Sequence, residues 1–175
     1  PPGWHQNSGT WTDPSSHGAS NGDYGIYVNG KSNVTIKNLK LEAFGVGVQL
    51  SNTDNVHIYE VHTEWNKQDG IYSESDTALE ISRAIIGNNI RNGITVNGGS
   101  GNGNCSGSGA FVISGVTQVG VLGGNENYGI ELTNSDNICI ENVRQWDSIT
   151  GVHLENSQNI ILKNMDIGDN EEYGV

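Results

Sequence analysis

Glycine recurs along this chain at a nearly constant interval. The glycines that precede short runs of alternating apolar residues stand at positions 25, 47, 70, 93, 129, 151 and 174, so successive ones are 22, 23, 23, 36, 22 and 23 residues apart. The long interval contains a Gly/Ser/Asn-rich insertion, GGSGNGNCSGSG at 98–109. A repeat of this length limits the chain to architectures in which one structural unit stacks on the next.

Each repeat has the same internal pattern. Four of the units read GIYVNGKSNVTIKNLKL from Gly25, GVQLSNTDNVHIYEVHT from Gly47, GIELTNSDNICIENVRQ from Gly129 and GVHLENSQNIILKNMDI from Gly151. Apolar and polar residues alternate after each Gly and again after a later Asn, which is the period of a strand with one buried face. A unit this short cannot close a hydrophobic core alone, so neighbouring units must stack.

Short strands joined by Gly and Asn corners resemble the right-handed parallel β-helix of the pectin-lyase-like superfamily. The resemblance covers about residues 23–175. It rests on two recurring steps, in which a Gly or an Asn is followed by apolar residues at the first and third positions after it. It implies an all-β fold, a right-handed parallel β-helix (solenoid) of about six coils of 22–23 residues with three short parallel sheets. A leucine-rich repeat has a similar period, but its Leu frame and helical return leg are not visible.

The register of this fold predicts which residues stack inside. One inward column contains Ile26, Val48, Ile71, Ile94, Ile130 and Val152. A second inward column contains Ile36, Ile58, Ile81, Ile113, Ile140 and Leu162. Asn33, Asn55, Asn137 and Asn159 share one corner, where a ladder of side-chain amides can satisfy backbone groups of the turn.

The two ends of the chain differ from the repeats. Residues 1–22 carry no apolar period, so we expect an irregular N-terminal segment or cap before the β-helix of 23–175. A β-helix exposes strand edges at both ends, and Gly174 begins a further coil. We therefore expect a section of a longer β-helix, whose ends are covered by neighbouring domains or by a homo-oligomeric partner.

Charge and cysteine content exclude several classes of partner. The formal net charge of −12 disfavours nucleic acid and anionic membrane surfaces, and no apolar run is long enough for membrane insertion. Cys105 and Cys139 are candidates for one disulfide, because the insertion returns to the helix at Ala110 beside the outward position of Cys139. The two cysteines lack zinc-site spacing, and we expect neither a metal nor a cofactor.

The resemblance also implies where a ligand lies. In this superfamily ligands usually follow the sheet that opens each coil, with walls built from the loops before it. Aromatic rings beside carboxylates and amides suit a sugar, which stacks its apolar face and hydrogen-bonds through its hydroxyls. The predicted ligand-binding residues are Trp65, Tyr72, Glu74, Trp146, Asp147, His153 and Glu155.

Four residues are candidates for catalysis: Glu131, His153, Glu155 and Asp69. By lattice geometry the backbone positions of Glu131 and Glu155 lie roughly 8 Å apart, because they differ by one step between coils and two rises along a strand. A distance of this size is typical of the two carboxylates of an inverting glycosidase. The QDG at 68–70 resembles the Asp-bearing motif of polygalacturonases. The next coil has Arg-Asn-Gly at 91–93 where that family has an Asp pair, so the motif is incomplete.

Two classes of function remain open. The first is a structural β-helical section of a secreted, cell-surface or virion protein, which interacts with a polysaccharide or glycan through the face of the first strand of each coil. The second is a polysaccharide-active enzyme, namely a glycosidase, lyase or epimerase, on the same scaffold. The absence of a complete catalytic motif favours the first.

Overall fold

The structure is a computed structural model, which describes residues 5–7, 10–12, 22–118 and 127–175. Within the segment predicted to be irregular, 1–22, it describes a two-stranded antiparallel sheet of β1 (His5–Asn7) and β2 (Thr10–Thr12). Most of the rest of that segment lies outside the described residues. Every regular element in the described ranges is a strand, and none of these residues forms a helix that could span a membrane.

The first strand of each coil belongs to a six-stranded parallel sheet, which we call the first sheet. Each inner strand pairs with the equivalent strands of the coils before and after it, and the edge strands β3 and β16 each pair with one neighbour. The strands are β3 (Tyr24–Asn29), β5 (Val46–Ser51), β7 (Ile71–Glu74), β10 (Ile94–Asn97), β13 (Tyr128–Thr133) and β16 (Thr150–Glu155).

The remaining strands form a ten-stranded sheet, the second sheet, which covers the other two faces. The fold prediction is confirmed, with one difference in connectivity. The two predicted sheets on these faces are joined, because β4 and β6 run unbroken through a corner that later coils divide into separate strands. The strands are β4 (Ser32–Glu42), β6 (Asp54–Glu64), β8 (Thr77–Ser82), β9 (Ile85–Gly87), β11 (Phe111–Ser114), β12 (Thr117–Gln118), β14 (Ile138–Glu141), β15 (Arg144–Trp146), β17 (Ile161–Lys163) and β18 (Asp166–Gly168).

The corners of the coil are marked by residues with left-handed backbone conformation. Asparagine, aspartate and glycine tolerate this conformation best, which explains why they punctuate the repeat. Three corners recur with the coil period as Asn38, Glu60, Arg83, Gly115, Asn142 and Asn164; as Gly30, Asn52, Ser75, Gly98, Asn134 and Asn156; and as Ala43, Trp65, Asn88, Asp147 and Asp169. Non-asparagine members such as Trp65 are held there by the stacked coils on either side.

Both predicted inward columns are confirmed by the strand register. Ile26 pairs with Val48, and the column continues without a shift to Val152. The second column likewise continues from Ile36 to Leu162. The insertion between β10 and β11 therefore leaves the register intact on both sides.

The asparagine ladder forms only in part. Asn33, Asn55, Asn137 and Asn159 all have positive φ, but Ala78 occupies the same corner between them. The Asn55 amide donates to the Asn33 side-chain oxygen at 2.7 Å, whereas the Asn159 amide donates to the carboxylate of Asp136 at 2.9 Å. Backbone conformation, more than a continuous amide ladder, therefore explains asparagine at this corner.

Candidate functional site

The outer face of the first sheet presents two rows of polar and aromatic side chains. The register places the residues of each row side by side along the axis of the solenoid. One row contains Tyr27, Gln49, Tyr72, Thr95, Glu131 and His153, and the other contains Asn29, Ser51, Glu74, Asn97, Thr133 and Glu155.

A cleft of about 280 Å³ opens in the middle of this face. We call it the Arg91 cleft. Its walls come from three consecutive coils, because its residues belong to β7, β10, β13 and the loops that precede β10 and β13. The residues that line it include Tyr72, Arg91, Asn92, Thr95, Tyr128 and Glu131.

Arg91 is held in the cleft by a buried carboxylate. Asp69 is fully buried, and its Oδ1 accepts hydrogen bonds from Arg91 Nε at 2.9 Å and from the Asn92 backbone N–H at 3.2 Å. Arg91 Nη2 donates to the other oxygen, Oδ2. Burial raises the pKa of Asp69 against the opposing effect of Arg91, and the bond to Asp69 raises the pKa of Arg91. The guanidinium, 42 % exposed, is thus fixed with one edge toward the cleft.

The polygalacturonase-like motif suggests a catalytic role for Asp69, and the structure shows the surroundings of this residue. Its carboxylate is fully buried, and its two oxygens accept bonds from Arg91 and Asn92. These bonds hold Arg91 in position. The coil period contains a signal for this pair, because residues 69 and 91 are one repeat apart and therefore stack.

Asn92 makes hydrogen bonds to several other residues of the cleft, including its acidic residue, Glu131. Its side-chain amide donates to Glu131 Oε2 at 2.8 Å and to Thr95 Oγ1 at 2.9 Å. Its side-chain oxygen accepts the backbone N–H of Tyr128 at 3.1 Å. Asn92 is buried, so these bonds fix Glu131 in place. Sequence reasoning missed Asn92 as a site residue, although it precedes a repeat glycine as Asp69 does.

Aromatic rings stand at both sides of the cleft. The Arg91 guanidinium lies 5.7 Å from the centre of the Tyr72 ring, which is within the range of a cation–π contact. Tyr128 stacks on His153 with 4.4 Å between ring centres and 8° between ring planes. Both rings are thereby restrained in orientation before any ligand arrives.

His153 lies between two carboxylates. It is the register partner of Glu131 on the neighbouring strand, and its Nε2 is 4.0 Å from Glu155 Oε2. Glu155 is exposed at the end of β16. The three catalytic candidates of this region therefore lie on the same outer face, beside one another.

The structure separates the remaining predicted ligand-binding residues. Glu74 is exposed at the end of β7, in the second row of the first sheet. Asp147 is exposed at a corner, and Trp146 is half-buried at the end of β15 in the second sheet, packed beside Gly168. Trp65 is 5 % exposed, so the expected surface ring is a buried corner residue.

The Asp69–Arg91 pair gives an asymmetric prediction for stability. Replacing Arg91 by Ala leaves a buried carboxylate without its cation, so we expect a loss of about 3 kcal/mol in the free energy of unfolding. Replacing Asp69 by Asn is expected to cost only about 1 kcal/mol, because the half-exposed guanidinium can be hydrated. Chemical denaturation of both variants measures the difference, and equal losses would contradict this assignment.

One group of potential metal ligands occurs among the described residues. Sulfur and oxygen atoms of Cys105, Cys139 and Glu141 lie within 4.8 Å of one another. The two cysteines form a disulfide with Cα atoms 5.2 Å apart, so their sulfurs are not thiolate ligands in this structure.

Comparison with known proteins agrees with the geometry of the coil. The family model described as "Right handed beta helix region" matches residues 10–121, more than half of the chain. The chain therefore belongs to the right-handed β-helix family. No curated protein and no solved structure matches it at a significant level.

Proposed function

We propose that this chain is a structural β-helical section of a secreted, cell-surface or virion protein and that it binds a neutral glycan in the Arg91 cleft. The single observation that carries the proposal is the composition of this cleft. Hydrogen-bonding groups from Arg91, Asn92, Thr95 and Glu131 lie between tyrosine rings on a face of parallel strands. Sugars combine an apolar ring face with a rim of hydroxyls, and this set of side chains matches both.

Preorganisation of the polar groups supports binding. Asp69 holds Arg91, and Asn92 and Thr95 hold Glu131, so the main donors and acceptors do not have to be ordered by the ligand. Side chains locked in this way lose little conformational entropy on binding. The strands that carry them stack in register with both neighbouring coils, which keeps the cleft rigid.

Charge supports a neutral ligand over an acidic one. The guanidinium of Arg91 is compensated by Asp69, and Glu131 adds a negative charge to the cleft. The whole chain carries a net charge of −12, so a polyuronate approaches against a repulsive field. Neutral hexoses and N-acetylhexosamines meet no such barrier.

The expected location of the protein draws support from the disulfide. A disulfide between Cys105 and Cys139 persists in oxidising compartments, such as the cell exterior.

The proposal that partners cover the ends of the solenoid is supported by exposed apolar side chains. Leu154 and Tyr173 of the last described coils suit contact with a second copy of the chain or with a neighbouring domain.

The proposal predicts that removal of the Tyr72 ring weakens binding. A neutral oligosaccharide selected on a glycan array is titrated into the wild type and the Tyr72→Ala variant by calorimetry. We expect an increase in Kd of about tenfold, because one stacking contact and the restraint on Arg91 are lost.

Tyr59→Ala is the matched control for this experiment. Tyr59 also contacts an arginine through its ring, with Arg83 at 5.0 Å, but it lies on the second sheet. We expect unchanged affinity for Tyr59→Ala. Equal losses in the two variants, or no binding by the wild type across neutral glycans, would contradict a glycan site in the Arg91 cleft.

An enzyme on the same face is the second candidate function. The observation that favours it is the placement of Glu131 and Glu155 on neighbouring strands on either side of His153. If they act as acid and base, replacing both glutamates by Gln abolishes turnover but weakens binding by no more than about tenfold, because the Gln side chain at position 131 keeps a neutral acceptor in the cleft. Absence of turnover by the wild type on the glycans that it binds would remove this candidate.

A further inference from the structure

The Gly-rich insertion lies against the outer face of the second sheet, away from the Arg91 cleft on the first sheet. Residues 98–109 leave the first sheet after β10 and return at β11 on the second sheet. Within the insertion, Asn102 N donates to Gly109 O at 2.9 Å and its side-chain amide donates to Ser108 O at 2.8 Å. The disulfide from Cys105 to Cys139 ties this turn to the outer face of β14.

A cavity of about 150 Å³ lies between this wall and the outer face of the second sheet. We call it the insertion cavity. Part of its lining is apolar, from the buried side chains of Ala78, Ala110 and Val112. Cys105 and Gly107 form the side that faces the sheet, so the disulfide determines where this wall stands.

Polar groups converge on one side of the insertion cavity. His57 and Glu80 are register partners on β6 and β8, and His57 Nδ1 lies 3.0 Å from Glu80 Oε2. Each side chain is 45 % exposed, so the pair keeps hydrogen-bonding capacity toward the cavity. Asn55 adds an amide at the same side, and its Nδ2 already donates to Asn33.

We propose that the insertion cavity binds one neutral sugar ring, independently of the Arg91 cleft, and that the Cys105–Cys139 disulfide is required for this binding. The volume accommodates a single six-membered ring. The apolar lining suits the C–H face of a pyranose, while the carboxylate, imidazole and amide suit its hydroxyls. The Glu80 carboxylate disfavours anionic ligands, and its contact with His57 Nδ1 orients it as an acceptor for sugar hydroxyls.

The proposal is tested by saturation-transfer NMR on the oxidised chain with glucose, galactose, mannose, fucose and N-acetylglucosamine, each offered singly. At least one is expected to receive signal, and Glu80→Gln is expected to weaken its binding about tenfold, because a charged acceptor becomes neutral. Glu60→Gln is the matched control, since Glu60 lies on the same sheet and pairs with Arg83 outside the cavity. Affinity in Glu60→Gln should equal that of the wild type.

Reduction separates this site from the Arg91 cleft. The Tyr72→Ala variant, whose Arg91 cleft is weakened, is treated with a trialkylphosphine. The phosphine cleaves the S–S bond to two thiols and is oxidised to phosphine oxide, with water supplying both protons and the oxygen, and this reduction should abolish the signal of the bound sugar. Before reduction, the Tyr72→Ala variant should retain the signal of the sugar bound in the insertion cavity. No signal for any of the five sugars, an unchanged signal after reduction, or equal losses in Glu80→Gln and Glu60→Gln would overturn the proposal. Loss in Tyr72→Ala would also overturn it, because the sugar would then occupy the Arg91 cleft.

Discussion

Replacing Ile140 by Asp is expected to unfold the solenoid or to cost at least about 4 kcal/mol in the free energy of unfolding, because it leaves an unpaired carboxylate in the core. Ile140 is fully buried and stacks between Ile113 and Leu162. The coils leave no route by which the carboxylate could reach water without breaking the register. Guanidinium denaturation followed by circular dichroism measures the effect.

Ile161→Asp is the matched control, because the same chemical change is made one residue away from an inward position. Ile161 is 40 % exposed on the outer face of β17. Its substitution should change the free energy of unfolding by less than about 1 kcal/mol. Wild-type stability in Ile140→Asp would mean that the inward column is assigned to the wrong face.

Replacing Gly47 by Ala is expected to destabilise the fold by about 2–3 kcal/mol, although only one methyl group is added. A Cβ atom at this position would lie 2.5 Å from the carbonyl oxygen of Gly70 in the next coil. The oxygen belongs to the backbone, so it can retreat only if the two coils move apart. The same conflict recurs at Gly25 and Gly151, which explains the glycine period.

Gly22→Ala is the control for this substitution. Among the residues that the structure describes, none would lie within 4 Å of a Cβ atom at Gly22. We expect Gly22→Ala to keep the denaturation midpoint of the wild type or to raise it slightly, because alanine restricts the unfolded chain. Equal stability of Gly47→Ala and the wild type would show that stacked glycines are not what sets the repeat.

The fold was predictable because each coil repeats the same physical constraints. Close contact between coils requires glycine at one position, and the corners favour asparagine, so both residues recur with the length of the coil. Alternation then assigns inward and outward residues in every strand. Ile26 and Ile36, placed inside from the pattern alone, begin the two columns that the register confirms.

The candidate site was less predictable because it depends on loops and corners. Trp65 was expected on the surface beside the first sheet, but the corner conformation and the neighbouring coils bury it. Alternation assigns faces only within strands, so it does not apply to such a position. Alternation does not predict the Asp69–Arg91 pair for a related reason, because Arg91 stands one coil away in a loop.

Two predictions about the surface follow from different parts of the structure and can fail separately. The Arg91 cleft rests on groups held by Asp69 and Asn92, and it shares no lining residue with the insertion cavity. The insertion cavity rests on a disulfide and a His–Glu pair on the second sheet. Binding of a ligand in the Arg91 cleft therefore neither supports nor contradicts binding in the insertion cavity.

Amide chemical-shift mapping tests the central claim, glycan recognition by the Arg91 cleft, most directly. The isotope-labelled Glu80→Gln variant, in which the insertion cavity is weakened, is titrated with a neutral oligosaccharide that the wild type binds. We expect the largest shifts at Tyr72, Thr95 and Glu131 on three adjacent strands of the first sheet. Shifts confined to the second sheet, or no shifts at a saturating concentration of the oligosaccharide, would contradict the claim.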